Sequence, residues 1–208
     1  MHLFFKVWGD KMLIKTLVNK SDFYNSNTYI LVNNGEILVI DPVDADEIMR
    51  QVEGLGKIVG VLVTHGHFDH CFGARQMQRL GYKIYMSTLD RDKGMDELAK
   101  EFNKDFEPFE VDVPLYDGDI AIWDFNIKVI HTPGHSKGSL CFIIEDNIFT
   151  GDTLFCNGVG RYDLYGGSFA TLRKSLRNLF TLDNYKVYPG HNECTTIDIE
   201  RRRLFGNK

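Results

Sequence analysis

Between Leu62 and Gly73 the chain reads LVTHGHFDHCFG, which sets three histidines and an aspartate within six residues directly after a run of apolar and β-branched side chains. A lone histidine at the end of a strand is ordinarily a satisfied structural group. Four potential ligands in six positions are not explained by packing, and metal binding is the chemistry that such crowding suits. This constrains the fold, because an ion needs further ligands and segments distant in sequence must deliver them to the same place.

Three other stretches qualify. HTPGHS, TGDTLF and YPGH each close a strand-like run with a metal-competent side chain, His135, Asp152 or His191, beside a glycine that lets the backbone turn sharply or approach closely. In the extended part of the first motif, alternation places His65 and His67 on one side, able to hold one ion. A turn then brings Asp69 and His70 to a second. His135, Asp152 and His191 supply the ligands that two ions still lack. His131 is expected to support the site or simply to pack, and His2 to have no role.

The intervening pattern is that of an α/β protein. TYILVNNGEILVID is a hairpin around Asn34-Gly35, the pair best able to take the positive φ angles of a type I′ turn. A helix is expected over about 44–55, and KIVGVLVTH is a buried strand. CFGARQMQRLG is expected as a helix, KIYMS as a strand and DELAKEFNK as a helix. Strands dominate from about Pro108 to Thr150. GGSFATLRKSLRNLF is a helix whose apolar stripe is core packing, with Ser168 as its N-cap. YKVYP is the last strand, followed by a short polar tail. Two strand-rich halves, each with its own helices, predict two sheets packed face to face with helices outside.

Composition narrows the function. The 208 residues fit one large domain, are 43% hydrophobic and 25% charged, and hold no run near the roughly 18 apolar residues of a spanning helix. Twenty-four Lys and Arg against 29 Asp and Glu, with no basic cluster beyond Arg201 to Arg203, speak against nucleic acid as a partner. Cys71, Cys141, Cys156 and Cys194 form no CxxC pair, which fits reduced thiols in the cytoplasm. MHLFFKVWGDKMLIK is too short in its apolar run, and too interrupted by Lys6 and Asp10, for a signal peptide. Met12 opens the first clean strand-like run, so residues 1–11 are either a dispensable extension or an extra edge strand.

Taken together, THGHFDH, HTPGHSKGS, GDTLFCNGVGR and PGH resemble the metal-binding motifs of the metallo-β-lactamase superfamily, and within it the chain resembles the short glyoxalase II-like hydrolases. The resemblance implies a four-layer αβ/βα sandwich with the site at one edge between the sheets. It implies that His65, His67 and His135 bind one ion, that Asp69, His70 and His191 bind the other, and that Asp152 bridges. Asp41 of VIDP matches a family aspartate that supports the site, or it marks a strand-ending turn. Arg161 and Asp163 of GRYDLYGGS would orient an anionic substrate or pair with each other. Two departures stand out: the C-terminal helical region with which full glyoxalase II enzymes grip glutathione has no counterpart after His191, and Asn192-Glu193 replaces the frequent Gly-Pro.

The expected activity is hydrolysis of a thioester or ester by a hydroxide held between two divalent ions, with Asp69 and Asp152 as the catalytic carboxylates. Zinc is the first expectation, with iron and manganese compatible with the same nitrogen and oxygen donors. The ions outweigh the negative charges around them, so a small anionic substrate is favoured. Two other readings stay open: an iron-dependent persulfide dioxygenase-like oxidoreductase, using His65, His135 and Asp152 on one iron, and a metal-binding protein without turnover.

Overall fold

In the computed structural model, which describes residues 11–20 and 25–206, β2 (Asn25–Asn33) and β3 (Glu36–Ile40) pair antiparallel across Asn34 and Gly35. Those two residues take φ of 49° and 81°, as a type I′ turn demands. β1 (Leu13–Lys20) pairs antiparallel on the other side of β2, while β4 (Lys57–Leu62), β5 (Ile84–Met86) and β6 (Val113–Pro114) continue the sheet in parallel. The second sheet runs from β7 (Gly118–Ile122) through β8 (Phe125–His131), β9 (Leu140–Ile144), β10 (Asn147–Gly151) and β11 (Lys186–Pro189) to β12 (Thr195–Thr196). Only its β10–β11 pair is parallel. The extension or edge strand considered for residues 1–11 falls, but for Lys11, outside the described residues.

Strand alternation builds the layers. Along β2 and β3, Tyr29, Leu31, Leu38 and Ile40 point to the core between the sheets, where Phe125, Ile127, Phe142 and Phe149 meet them. Their neighbours Ile30, Ile37 and Val39 point the other way, onto α1 (Ala45–Val52), α3 (Ala74–Arg79) and α4 (Lys93–Phe102). On the second sheet Cys141, Ile143 and Ile148 face outward onto Leu172, Leu176 and Leu179 of α5 (Phe169–Leu179). The central strands are thus buried on both faces, which is why they read as unbroken apolar runs. The result is a four-layer α/β sandwich of two mixed sheets flanked by helices.

Three local expectations are corrected. CFGARQMQRLG is not one helix: α2 (Phe68–Cys71) already starts inside the histidine motif, and α3 begins after Gly73, whose N–H donates to the Pro42 carbonyl at 2.8 Å. α4 begins ahead of DELAKEFNK because the Asp92 carboxylate accepts from the Met95 N–H at 2.9 Å and caps it there. The polar tail is in fact structured. β12 adds to the sheet and α6 (Ile197–Phe205) follows, capped by Thr196. Its Glu200 is fully buried, accepting from the Thr195 hydroxyl at 2.6 Å, the Asn157 N–H at 3.1 Å and Arg203 at 3.0 Å. Glu200→Ala would leave the buried Thr195 hydroxyl and the part-buried Asn157 N–H without their acceptor. A loss of about 2–4 kcal/mol is therefore expected in urea denaturation, against well under 1 kcal/mol if this segment were a solvated tail.

Candidate metal centre

Loops leaving the C-terminal ends of β4, β10 and β11, together with the β8–β9 connection, meet at one edge of the sandwich. Beyond β4 the chain bends at Thr64 and Gly66 before His67, and the Leu140 N–H donates to the Thr64 carbonyl at 2.8 Å, tying this stretch to the second sheet. α2 then turns Asp69 and His70 toward the same spot. His135 lies between β8 and β9, Asp152 follows β10 and His191 follows β11. The last two segments touch at Gly190, where a Cβ would lie 2.2 Å from Asp152 Oδ1 and 2.7 Å from His70 Cε1. Only a residue without a side chain permits that approach.

All seven residues singled out from the sequence are brought together. Donor atoms of His65, His67 and His135 lie within 4.8 Å of one another, and so do those of His65, His70 and Asp152, and those of Asp69, His70 and His191. Asp152 is central: its Oδ2 is 3.4 Å from His135 Nε2 and 3.3 Å from His191 Nε2, and its Oδ1 is 3.3 Å from His70 Nε2. Asp69 lies 3.7 Å from His70 and 3.5 Å from His191.

The hydrogen bonds on the outer side of the rings fix what the inner side presents. His135 Nδ1 donates to the Arg161 carbonyl at 2.6 Å, His70 Nδ1 to the Asp41 carboxylate at 3.0 Å, and His191 Nδ1 to the Asn25 carbonyl at 2.5 Å. The Thr64 hydroxyl gives its proton to Asp41 at 2.8 Å and so accepts from His65 Nδ1 at 3.0 Å. A neutral imidazole carries one proton, so each Nε2 is left as a lone pair. Yet the Nε2 atoms of His65 and His135 face each other at 3.1 Å, and those of His70 and His191 at 3.3 Å. Lone pairs so placed repel unless a cation lies among them. His67 Nε2 and Asp152 Oδ1 are also buried without a hydrogen-bond partner. The cluster is therefore able to bind metal ions.

The titration behaviour agrees. Burial, with the neighbouring histidines, holds His65 and His67 well below the ordinary histidine pKa, in the neutral form that ligates. Burial opposes a charge on His70 as well, but Asp152, Asp69 and Asp41 outweigh it and push its pKa up to about 10. His191 is raised in the same way, chiefly by Asp152. Burial would raise the Asp152 pKa, but His70, His135 and His191 hold it well below the usual carboxylate range. A proton on His70 thus supplies part of the positive charge that a metal ion would otherwise bring.

Asp41 fulfils both readings offered for VIDP. It turns the chain at a φ of 56° and, fully buried, accepts from the Thr64 N–H at 2.7 Å while orienting His70. His131 packs instead, its ring bonded to the Lys137 carbonyl at 2.8 Å across the turn. Arg161 and Asp163 form an exposed bidentate pair at 2.8 and 2.9 Å. Sequence reasoning missed Asp90, which is buried and accepts from Gly66 N–H at 3.1 Å, Ser136 Oγ at 2.5 Å and Gly138 N–H at 2.6 Å. It clamps the first histidine loop to the one carrying His135. A cavity of about 260 Å³ opens onto the cluster, and its apolar wall, formed largely by α4, was also not foreseen.

Known proteins are similar to this chain in sequence and fold. The profile of the Metallo-beta-lactamase superfamily matches residues 21–191. The hydroxyacylglutathione hydrolase GloC of Haemophilus influenzae is 36% identical over 79% of this chain and 84% of its own length. A crystal structure of TTHA1623 in a di-iron-bound form superposes with a TM-score of 0.79 at 30% identity, covering 89% of this chain and 97% of the other. ETHE1 from Myxococcus xanthus gives a TM-score of 0.73 at 26% identity, over 91% and 82% of the two chains.

Because Asp41 alone fixes His70 from behind, Asp41→Ala should weaken metal binding by about 10- to 100-fold in competition with a chromophoric chelator. Unchanged affinity would show that His70 needs no such support.

Proposed function

Since the chain belongs to the Metallo-beta-lactamase superfamily, we propose that it is a metal-dependent hydrolase of thioesters or esters, similar to hydroxyacylglutathione hydrolases. In this reading residues 1–208 form one domain working in the cytoplasm on a small anionic substrate. Its four cysteines are free, and among the described residues no helix is long and apolar enough to cross a membrane. His65, His67 and His135 would hold one divalent ion and Asp69, His70 and His191 a second, with Asp152 within reach of both sets of residues. Zinc is the first choice, with iron and manganese suited to the same donors. Two ions so held would supply Lewis acidity and a hydroxide at neutral pH.

The observation that carries this reading is the position of Asp152, whose Oδ2 lies 3.4 Å from His135 and 3.3 Å from His191 and whose Oδ1 lies 3.3 Å from His70, so that one carboxylate meets residues of both ligand sets. The residues do the positioning. Outward Nδ1–H bonds hold the rings of His65, His70, His135 and His191 with their lone pairs inward, Asp69 adds a second carboxylate beside His191, and the cavity gives a small substrate access. Such access also speaks for turnover over a purely structural metal site. A persulfide dioxygenase-like activity is the second reading, favoured by the contiguity of His65, His135 and Asp152 and by the likeness to ETHE1 from Myxococcus xanthus. Oxygen uptake with glutathione persulfide and one iron per chain would select it. Thioester hydrolysis with two metals would select the first.

Asp152→Ala should abolish hydrolysis while the chain stays folded, because the remaining ligands still bind metal weakly but the reacting groups lose placement to within about an ångström. Wild-type-like turnover in the purified, metal-quantified variant would remove Asp152 from its proposed role.

A second expectation follows from the pKa of His70, which burial would lower but Asp152 and Asp69 push up to about 10, keeping the ring protonated near neutrality in the metal-free protein. Ligation needs the neutral ring, so zinc added to that protein in weak buffer at pH 7 should release protons. Binding without acidification would contradict the assignment.

A further inference from the structure

We propose, building on the hydrolase reading, that the substrate carries an apolar aliphatic or aromatic group flanking its scissile carbonyl, and that α4 is the surface that selects it. Met95, Leu98, Ala99 and Phe102 recur at the spacing of a single helix face. The core takes up only part of that face. Met95 and Ala99 are buried, Leu98 is half-buried, and Phe102 is 52% exposed, stacked on Phe68 with ring centroids 5.6 Å apart. Leu98 and Phe102 therefore line the cavity that His67, Asp69, His135, Asp152 and His191 also line.

This wall is fixed to the metal cluster at one end and to a loop at the other. Met95 presses on Gly66, between His65 and His67, so closely that a Cβ there would lie 3.0 Å from Met95 Cγ. At the start of α4 the Tyr165 hydroxyl donates to the capping carboxylate of Asp92 at 3.1 Å, and its ring lies against Gly94, where a Cβ would be 2.4 Å from it. Leu164, which precedes Tyr165, also lines the cavity.

Charge and size exclude the alternative of a large polar group. Among the described residues Arg161 is the only Lys or Arg lining the cavity, and both of its bonds go to Asp163. Apart from the ions, nothing in the wall attracts a further carboxylate. The volume of about 260 Å³ is below the roughly 300–1,000 Å³ of most ligand pockets, so it suits one compact apolar group. Each methylene buried there should favour binding roughly fourfold.

The test uses the full chain loaded with zinc and two thioester series. One lengthens the acyl group from acetyl to octanoyl on N-acetylcysteamine, and the other lengthens an alkanethiol under a constant acetyl group. Calorimetric binding of the alkanoates from acetate to octanoate supplies a readout free of turnover. A rise in kcat/KM of about three- to fourfold per methylene in either series until the cavity fills, matched by alkanoate affinity, is the expected result and assigns the apolar group to its side of the bond. Leu98→Ser and the exposed Phe102→Ser, checked by thermal melts, should flatten that slope. Hydrolysis with no chain-length dependence, or slopes unchanged in both folded variants, overturns the inference and leaves the hydrolase reading standing. Alkanoate affinity that climbs with length while no thioester is cleaved supports the apolar pocket and removes the hydrolase reading. Flat binding without cleavage removes both.

Discussion

The arrangement depends on one electrostatic constraint, which is that four imidazole rings spend their only neutral-state proton on acceptors outside the cluster and are left with lone pairs pointing at one another. The acceptors belong to different parts of the chain: a carbonyl at the start of β2, the Asp41 carboxylate after β3, the Thr64 hydroxyl after β4 and the Arg161 carbonyl beyond β10. No local segment could assemble them. The sandwich is what holds four outer shells in register, and a cation at the centre relieves the repulsion that this register creates.

Burying so much polarity requires that nearly every group be matched. Asp41 is surrounded by Thr64 and His70, Asp90 by two backbone N–H groups and a serine hydroxyl, and Glu200 by the Thr195 hydroxyl, a backbone N–H and Arg203. Each carboxylate also joins segments far apart in sequence, so the polar bonds specify which loops meet while the apolar cores between and outside the sheets stabilise them. Asp90 shows the penalty of burial directly, since its pKa is raised despite three donors. Among the described residues, two of the six buried side-chain atoms left without a hydrogen-bond partner, His67 Nε2 and Asp152 Oδ1, are at the metal centre, and the others belong to Ser26, Arg91 and Asp96.

What was legible in the sequence was local. The Asn34-Gly35 turn, the strands buried on both faces and the seven residues of the cluster are each announced within a few positions of themselves. Asp90 was invisible because its partners Gly66, Ser136 and Gly138 lie 24, 46 and 48 residues away. In TLDRD it is one acidic residue among polar neighbours. α4 was legible as a helix, but whether its apolar face meets core or cavity is decided by what packs against it. The tail was misjudged because its helix is rich in charge, and its anchor, a glutamate, is a residue type rarely buried.

The contact at Gly190 has a consequence for how such a centre can change over time. Where backbone from the end of β11 rests directly on Asp152 and His70, the spacing between donor groups is set by main chain against side chain, not by the reach of flexible ligands. Exchanging one donor atom for another can shift the preference among zinc, iron and manganese without moving anything else. Widening or narrowing the centre is a different matter, for it would require a turn to be rebuilt. Variation in such a chain is thus free to explore new metals, and new walls around the cavity, while the dimensions of the cluster remain nearly constant.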